Sequence, residues 1–189
     1  MKRIIVGISG ASGLPLAIHL LEALKTNPEV ETILTVSESA KQTLMLETSI
    51  SFETLLSKAD HYEDVKNIGA AIASGTYPSA GMIIIPCSMK TAAGIANGYS
   101  DNLLLRCADV MIKEHRQLIL AVRENPLSAI HLENLLKLSR FSNITIMPMM
   151  LTYYKKPTTI KEMEDHLIGK LLAQFELSYQ PFKPWQPNC

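Results

Sequence analysis

The first two dozen residues restrict this chain's fold more than any other stretch. Lys2 to Leu24 reads KRIIVGISGASGLPLAIHLLEAL. Ile4 to Ile8 is a short, β-branched apolar run with the length of a buried strand. It ends in the small-residue turn Ser9-Gly10-Ala11-Ser12-Gly13, and apolar residues at helical spacing resume from Leu16. Pro15 suits a first helical turn, where its missing N–H costs nothing. A strand, a small turn and a helix in that order can turn backbone N–H groups toward an anion, with glycine allowing close approach and Ser9 or Ser12 adding a hydroxyl. Two readings fit the stretch: a phosphate cradle, or a plain tight turn between strand and helix. The full dinucleotide pattern is absent, because a third glycine at the usual spacing is missing.

The rest of the chain repeats the alternation. Asn27-Pro28 turns the chain into a strand over Glu31 to Val36. Ser37-Glu38-Ser39 caps a helix to about Leu46, and Ser51 to Lys58 reads as another short helix. Residues 59–80 are polar apart from Ile68 to Ile72 and read as a surface excursion. Gly81 to Pro86 is the plainest buried strand, running into Cys87-Ser88-Met89-Lys90-Thr91 and a small-residue helix over Ala92 to Asn97. Asp101-Asn102 opens a helix through Glu114, with Arg106 and Lys113 seven residues apart on one face. Leu118 to Val122 is a strand ending in Arg123-Glu124-Asn125-Pro126, Leu127 to Phe141 an amphipathic helix, and Asn143 to Met147 a fifth strand. A loop rich in Met and Tyr, Met149 to Pro157, leads to a last helix over Thr159 to about Leu177, and a Pro-containing tail with Trp185 follows. This predicts an α/β domain over 1–177, a tail over 178–189, and a mainly parallel sheet with helices on both faces. Two junctions that bear hydroxyls then share the carboxyl edge, where ligands bind in such sheets.

Composition removes several classes of function. Lys and Arg total 18, as do Asp and Glu, so there is no basic excess for nucleic acid. Histidines at 19, 61, 115, 131 and 166 show no ligand spacing, so no metal is expected. His131 and Glu133 read as helix-capping or pairing residues. No apolar run is long enough for a bilayer, the start leaves no room for a secretory leader, and Cys87, Cys107 and Cys189 form no CxxC pair. A cytoplasmic protein with reduced thiols is expected. The near-neutral balance and nine methionines suit a surface buried against further copies of the chain.

Several stretches together resemble one family. GISGASG at 7–13, PCSMKTAAGIANGYSDNLLLRCADV at 86–110, KEHRQLILAVRENP at 113–126, IHLENLLKLS at 130–139 and Tyr153-Tyr154-x-x-Pro157 are similar to the UbiX-type flavin prenyltransferases. Gly13 to Leu16 and the ending with Trp185 are most similar to the branch of that family named for the phenolic (hydroxyarylic) acid decarboxylases it accompanies. The resemblance implies a three-layer, Rossmann-like (flavodoxin-like) flavoprotein assembled as a dodecamer. It implies transfer of a dimethylallyl group from dimethylallyl monophosphate to N5 and C6 of reduced FMN, without metal, giving prenylated FMN for a separate UbiD-type decarboxylase. By motif, Gly10, Ala11, Ser12, Ser37, Ser88, Met89, Lys90, Thr91 and Arg123 would contact FMN. Arg106, Lys113, Arg123, Tyr154 and Lys170 would surround the prenyl phosphate. Glu124 would carry the proton, with Ser12 in the relay and Glu47 as a further candidate supplied by an adjacent subunit. Lys170 stands where many members carry arginine, which keeps the charge and loses the bidentate fork. The 59–80 region lacks a tryptophan that some members place near the flavin, leaving Ile68 or a neighbour for that space. A non-catalytic FMN carrier, and a decarboxylase acting on phenolic acids itself, are the competing readings.

Overall fold

The computed structural model describes residues 1–184 and divides into two compact units, Met1–Pro148 and Met149–Cys189. Trp185 and Cys189 lie outside the described residues.

The first unit is built on six strands: β1 (Lys2–Ile8), β2 (Val30–Val36), β3 (His61–Tyr62), β4 (Gly81–Cys87), β5 (Gln117–Val122) and β6 (Ile144–Ile146). Every pairing is parallel, in the order β3-β2-β1-β4-β5-β6. Without the two-residue β3, the remaining five follow the flavodoxin-like order. The chain leaves β1 on one side for β2 and on the other for β4, so the switch point lies between β1 and β4. Both sheet faces are covered, which explains why the central strands read as continuous apolar runs: Ile4, Ile5, Val6 and Ile8 of β1 and Met82 to Ile84 of β4 are fully buried.

Helices α1 (Leu14–Lys25), α2 (Glu38–Glu47) and α3 (Phe52–Leu56) precede β3. α4 (Met89–Ala96), α5 (Leu103–Lys113) and α6 (Ala129–Ser139) follow β4. The caps of α2 and α5 fall where the sequence predicts them, whereas α4 starts at Met89, three residues before the Ala92 expected. Ser37, Ser51, Ser88 and Asn102 accept from the backbone N–H three residues on, as Thr159 does for α7 (Ile160–Ala173) in the second unit. His131 is a capping residue, since Ser128 and His131 satisfy each other's backbone N–H at the start of α6. At Gly7, a Cβ would stand 2.9 Å from Met82 Cε and 3.3 Å from Leu104, so the bare backbone lets α5 close on the sheet. The Ile85–Pro86 and Asn125–Pro126 peptides are both cis.

The 59–80 stretch departs from expectation. It supplies β3, a sixth strand, and then crosses the sheet with Val65, Ala70, Ile72 and Ala73 buried against the α5 side. Backbone bonds anchor it: Leu103 N donates to Val65 O, and Arg116 donates to the carbonyls of Gly75 and Tyr77. A chain leaving an edge strand for the other half of the sheet has to pass over it. Four small or medium apolar residues among polar ones are enough to seal that passage. Ile68 points outward, 62% exposed.

In the second unit α7 carries the tail, with Phe182 packed on Gly169, where any Cβ would overlap its ring. Tyr179 donates to Asp165 Oδ1 at 2.6 Å. No helix among the described residues is long and apolar enough to cross a membrane.

Candidate functional site

Because the strands are parallel, the residues that follow β1, β2, β4 and β5 emerge on one edge. Four of the predicted segments meet there: Gly10 to Gly13, Ser37, Ser88 to Thr91, and Arg123-Glu124.

A buried serine stitches the first and third together. Ser9 Oγ donates to Pro86 O at 2.8 Å and accepts from Ser88 N at 2.8 Å, fixing the β1 turn to the start of α4. Arg123 N then donates to Cys87 O at 3.1 Å, which joins the end of β5 to the same block. Each such buried bond contributes about 1 kcal/mol net.

On the other side the turn meets α2. A Cβ placed on Gly10 would stand 2.4 Å from Ser39 Oγ and 3.1 Å from the Ser39 carbonyl carbon. Ser37 and Ser39 hydroxyls lie 3.2 Å apart, and Ser88 and Thr91 hydroxyls 3.1 Å apart. The first-turn N–H groups of α2 and α4 have no acceptor within their own helices. Two helix starts bearing hydroxyls beside a cradle that only glycine leaves open fit the phosphate ester of a mononucleotide such as FMN. Ser39 reads from sequence as part of a cap and not as a binding residue. Its proximity to Gly10 exists only across the β1–β2 pair.

The opening turn itself differs from expectation. Its helix-start donors are already engaged, since Glu47 Oε2 accepts from Gly13 N and Leu14 N at 2.9 Å each. Glu47 ends α2 of the same chain, so it reaches this turn without an adjacent subunit. Burial pushes its carboxyl up, but the bonds from Ser12, Gly13 and Leu14, with Arg123 nearby, outweigh that and hold it below the ordinary carboxylate range. Ser12, Glu47 and Arg123 thus form one linked polar group. Glu124 is exposed, and its Oε1 accepts from Asn125 N at 3.1 Å.

The cations of α5 do not join this edge together. Arg106, in the first turn of α5, pairs with Asp109 at 2.8 Å. Lys113, at the last turn, pairs with Glu114 at 2.7 Å beside Gly75. Seven helical residues span about 10 Å along the axis. Sharing a face therefore leaves Lys113 near the amino ends of the strands, away from Arg123. Tyr154 and Lys170 both line a cavity of about 540 Å³ within the second unit.

Two of the three cysteines, Cys87 and Cys107, are buried free thiols. Burial pushes Cys87 and Cys107 up to about 12, and Cys107 Sγ donates to Ile72 O. Iodoacetamide at about pH 8 should leave both unmodified in the folded protein and label both in urea, as peptide mass mapping will show. Labelling of Cys87 in the native state would contradict its burial. Among the described residues no group of His, Cys, Asp and Glu could hold a metal ion.

Comparison with known proteins agrees with this geometry. The family described as Flavoprotein matches residues 1–174. A probable UbiX-like flavin prenyltransferase from Sedimentibacter hydroxybenzoicus is 46% identical over 184 residues, 97% of each chain. The structure of a dodecameric FMN-dependent UbiX-like decarboxylase from Escherichia coli O157:H7 superposes with a TM-score of 0.95 at 45% identity, covering 98% of this chain and all of the other. AnUbiX (PadA1), solved with FMN and dimethylallyl pyrophosphate, gives a TM-score of 0.95 at 39% identity over 98% and 97% of the two chains. Matched over 97% of its length in sequence and 98% in fold, this chain belongs to the UbiX-like flavin prenyltransferases of the flavoprotein family.

Proposed function

We propose that this chain transfers a dimethylallyl group from dimethylallyl monophosphate to reduced FMN, producing prenylated FMN for a UbiD-type aromatic acid decarboxylase. The observation that carries the reading is the carboxyl edge at the β1/β4 switch. It combines a glycine cradle, two helix starts bearing hydroxyls and a charged Ser12–Glu47–Arg123 group. FMN is held by Gly10, Ala11 and Ser12 on the turn, Ser37 on α2, Ser88 to Thr91 on α4, and Arg123. Reduced FMN supplies the nucleophilic ring atoms N5 and C6.

The chain's own residues do the rest. Breaking an allylic C–O bond builds negative charge on the departing phosphate, and fixed cations and hydroxyl donors stabilise it where it develops. Tyr154 and Lys170 supply such donors in the second unit, and Arg123 does so at the sheet edge. Arg106 can contribute if it releases Asp109. Lys113 can join Arg123 only across a subunit boundary, because its own chain keeps it at the opposite edge. Glu124 receives the proton that ring closure releases, and Ser12, whose hydroxyl is bonded to Glu47, belongs to the same relay.

A homo-oligomer fits the surface. Met45 and Leu46 of α2 are 74% and 86% exposed, and Ile130 and Leu136 of α6 are 68% and 57% exposed. Apolar side chains so placed mark surfaces meant for burial.

Anaerobic incubation of the protein loaded with reduced FMN with dimethylallyl monophosphate should change the flavin spectrum and add one prenyl mass. FMN recovered unchanged would sink the transferase reading and favour a cofactor carrier. Glu124→Gln separates the two further. It should slow transfer by about 10²-fold with FMN still bound, whereas a carrier would be indifferent to it.

A further inference from the structure

The cavity of the second unit sorts its walls by chemistry. Phe182 and Pro184 line it with apolar surface, and Thr152, Tyr154, His166 and Lys170 complete the lining of about 540 Å³ with side chains that each carry a polar group. An allylic phosphate has that same division, an apolar tail of a few carbons and a compact dianion. His166 and Lys170 lie one turn apart on α7 and therefore project to the same side. A lysine is a point charge without a fork, so a phosphate with three terminal oxygens needs donors besides it.

His166 is placed to be one. Its ring lies tilted at 55° against Phe182, with centroids 5.4 Å apart, a contact that involves no polar partner. It stands in a wall shared with a neighbouring hollow of about 350 Å³ that is lined by Lys155, Lys156 and Lys183 along with Glu162 and Asp165. Both carboxylates are engaged: Glu162 accepts from Thr158 N and Asp165 accepts from Lys161 and Tyr179. Among the described residues the imidazole therefore meets cations with no carboxylate dedicated to it. Burial first, then Lys170 and Lys155, push it below its ordinary value, so near neutral pH it is uncharged, with one N–H to donate. A dianion arriving beside it reverses that balance and favours the protonated ring, which donates from both nitrogens.

We propose that His166 is a phosphate-binding residue that clamps, together with Lys170, the phosphate of the prenyl donor and takes up a proton from solvent as the dianion binds. The proposal rests on the transferase reading for the identity of the donor, and on this cavity alone for the clamp.

His166→Phe keeps a ring against Phe182 and removes both nitrogens, while His166→Gln keeps a donor that cannot charge. With dimethylallyl monophosphate, KM should rise about 10-fold in H166F and about 3-fold in H166Q, with kcat changed by less than about twofold. The wild-type KM should rise with pH above the lowered range in which the free ring titrates, as protonation becomes harder, and both variants should lose that dependence. Calorimetric titration of the full-length protein with inorganic phosphate gives a readout independent of turnover. Affinity should fall about 10-fold in H166F, and the proton uptake seen in buffers of different ionisation enthalpy should vanish. An active H166F with unchanged KM and unchanged phosphate affinity overturns the clamp and leaves the transferase reading intact. A wild-type protein that transfers no prenyl group, yet loses phosphate affinity and proton uptake on H166F, overturns the transferase reading and leaves the clamp standing.

Discussion

Gly10→Ala should give a protein that folds but no longer retains FMN. The new methyl carbon would lie 2.4 Å from Ser39 Oγ and 2.5 Å from Ser39 Cβ, well inside van der Waals contact. Ser39 sits on the first turn of α2, so a short side chain anchored on a helix has to give way, and rotation of its hydroxyl cannot remove the clash at Cβ. Relief comes from moving the β1 turn away from α2, which widens the cradle between the two. The core under it, from Ile4 to Ile8, is untouched, so stability should fall by only about 1–3 kcal/mol. FMN affinity should fall about 100-fold, measured by fluorescence titration of the apoprotein. Ser39→Gly in the same chain removes both offending side-chain atoms and should restore part of that affinity. A double variant no better than Gly10→Ala would show that the turn, rather than its distance from α2, sets the binding.

Glu47→Gln should slow prenyl transfer by about 10²-fold while FMN stays bound. The amide oxygen can still accept from Gly13 N and Leu14 N, so the start of α1 remains capped. What disappears is the negative charge that Ser12 and Arg123 meet. Stability should drop by about 1 kcal/mol at neutral pH, allowing for solvent screening. The pH dependence has a definite sign. The Glu47 carboxyl is held below its ordinary value of 4.5, so its contribution is fully present above that value and is lost as pH falls through its folded value. Urea unfolding at pH 7 and near pH 3.5 should therefore show a wild-type advantage that shrinks in acid. An advantage of equal size at both pH values would mean that the carboxylate is not the stabilising species.

Much of this is legible in the residues because the signals are local. Ser37 and Asn102 each announce a helix start within three positions, and Ile83 to Ile85 can hardly be anything but a covered strand. The carboxyl-edge site follows, because parallel strands place every strand-to-helix junction on one side. Signals that depend on distant partners are not legible. His61-Tyr62 is too short to show a strand period, and β3 exists because it pairs with Ile33 and Leu34. Glu47 reads as a residue from elsewhere, since nothing near it in sequence says that α2 ends beside Gly13. Arg106 and Lys113 share a helical face, but helical phase carries no information on which end of the sheet each approaches. In sequence His166 is one of five scattered histidines, and only α7 and the tail place it beside Lys170 and Phe182.

The Ser9 bridge also sets a schedule for synthesis. Ser9 waits for Pro86 and Ser88, nearly eighty positions later, and Arg123 arrives later still. At about 5–20 residues per second, several seconds pass between emergence of the turn and of the segments that complete it. Until then β1 has no partner on its β4 side. FMN can therefore be captured only after the β5 junction has emerged, so a nascent chain interrupted before residue 123 should hold neither cofactor nor a closed sheet.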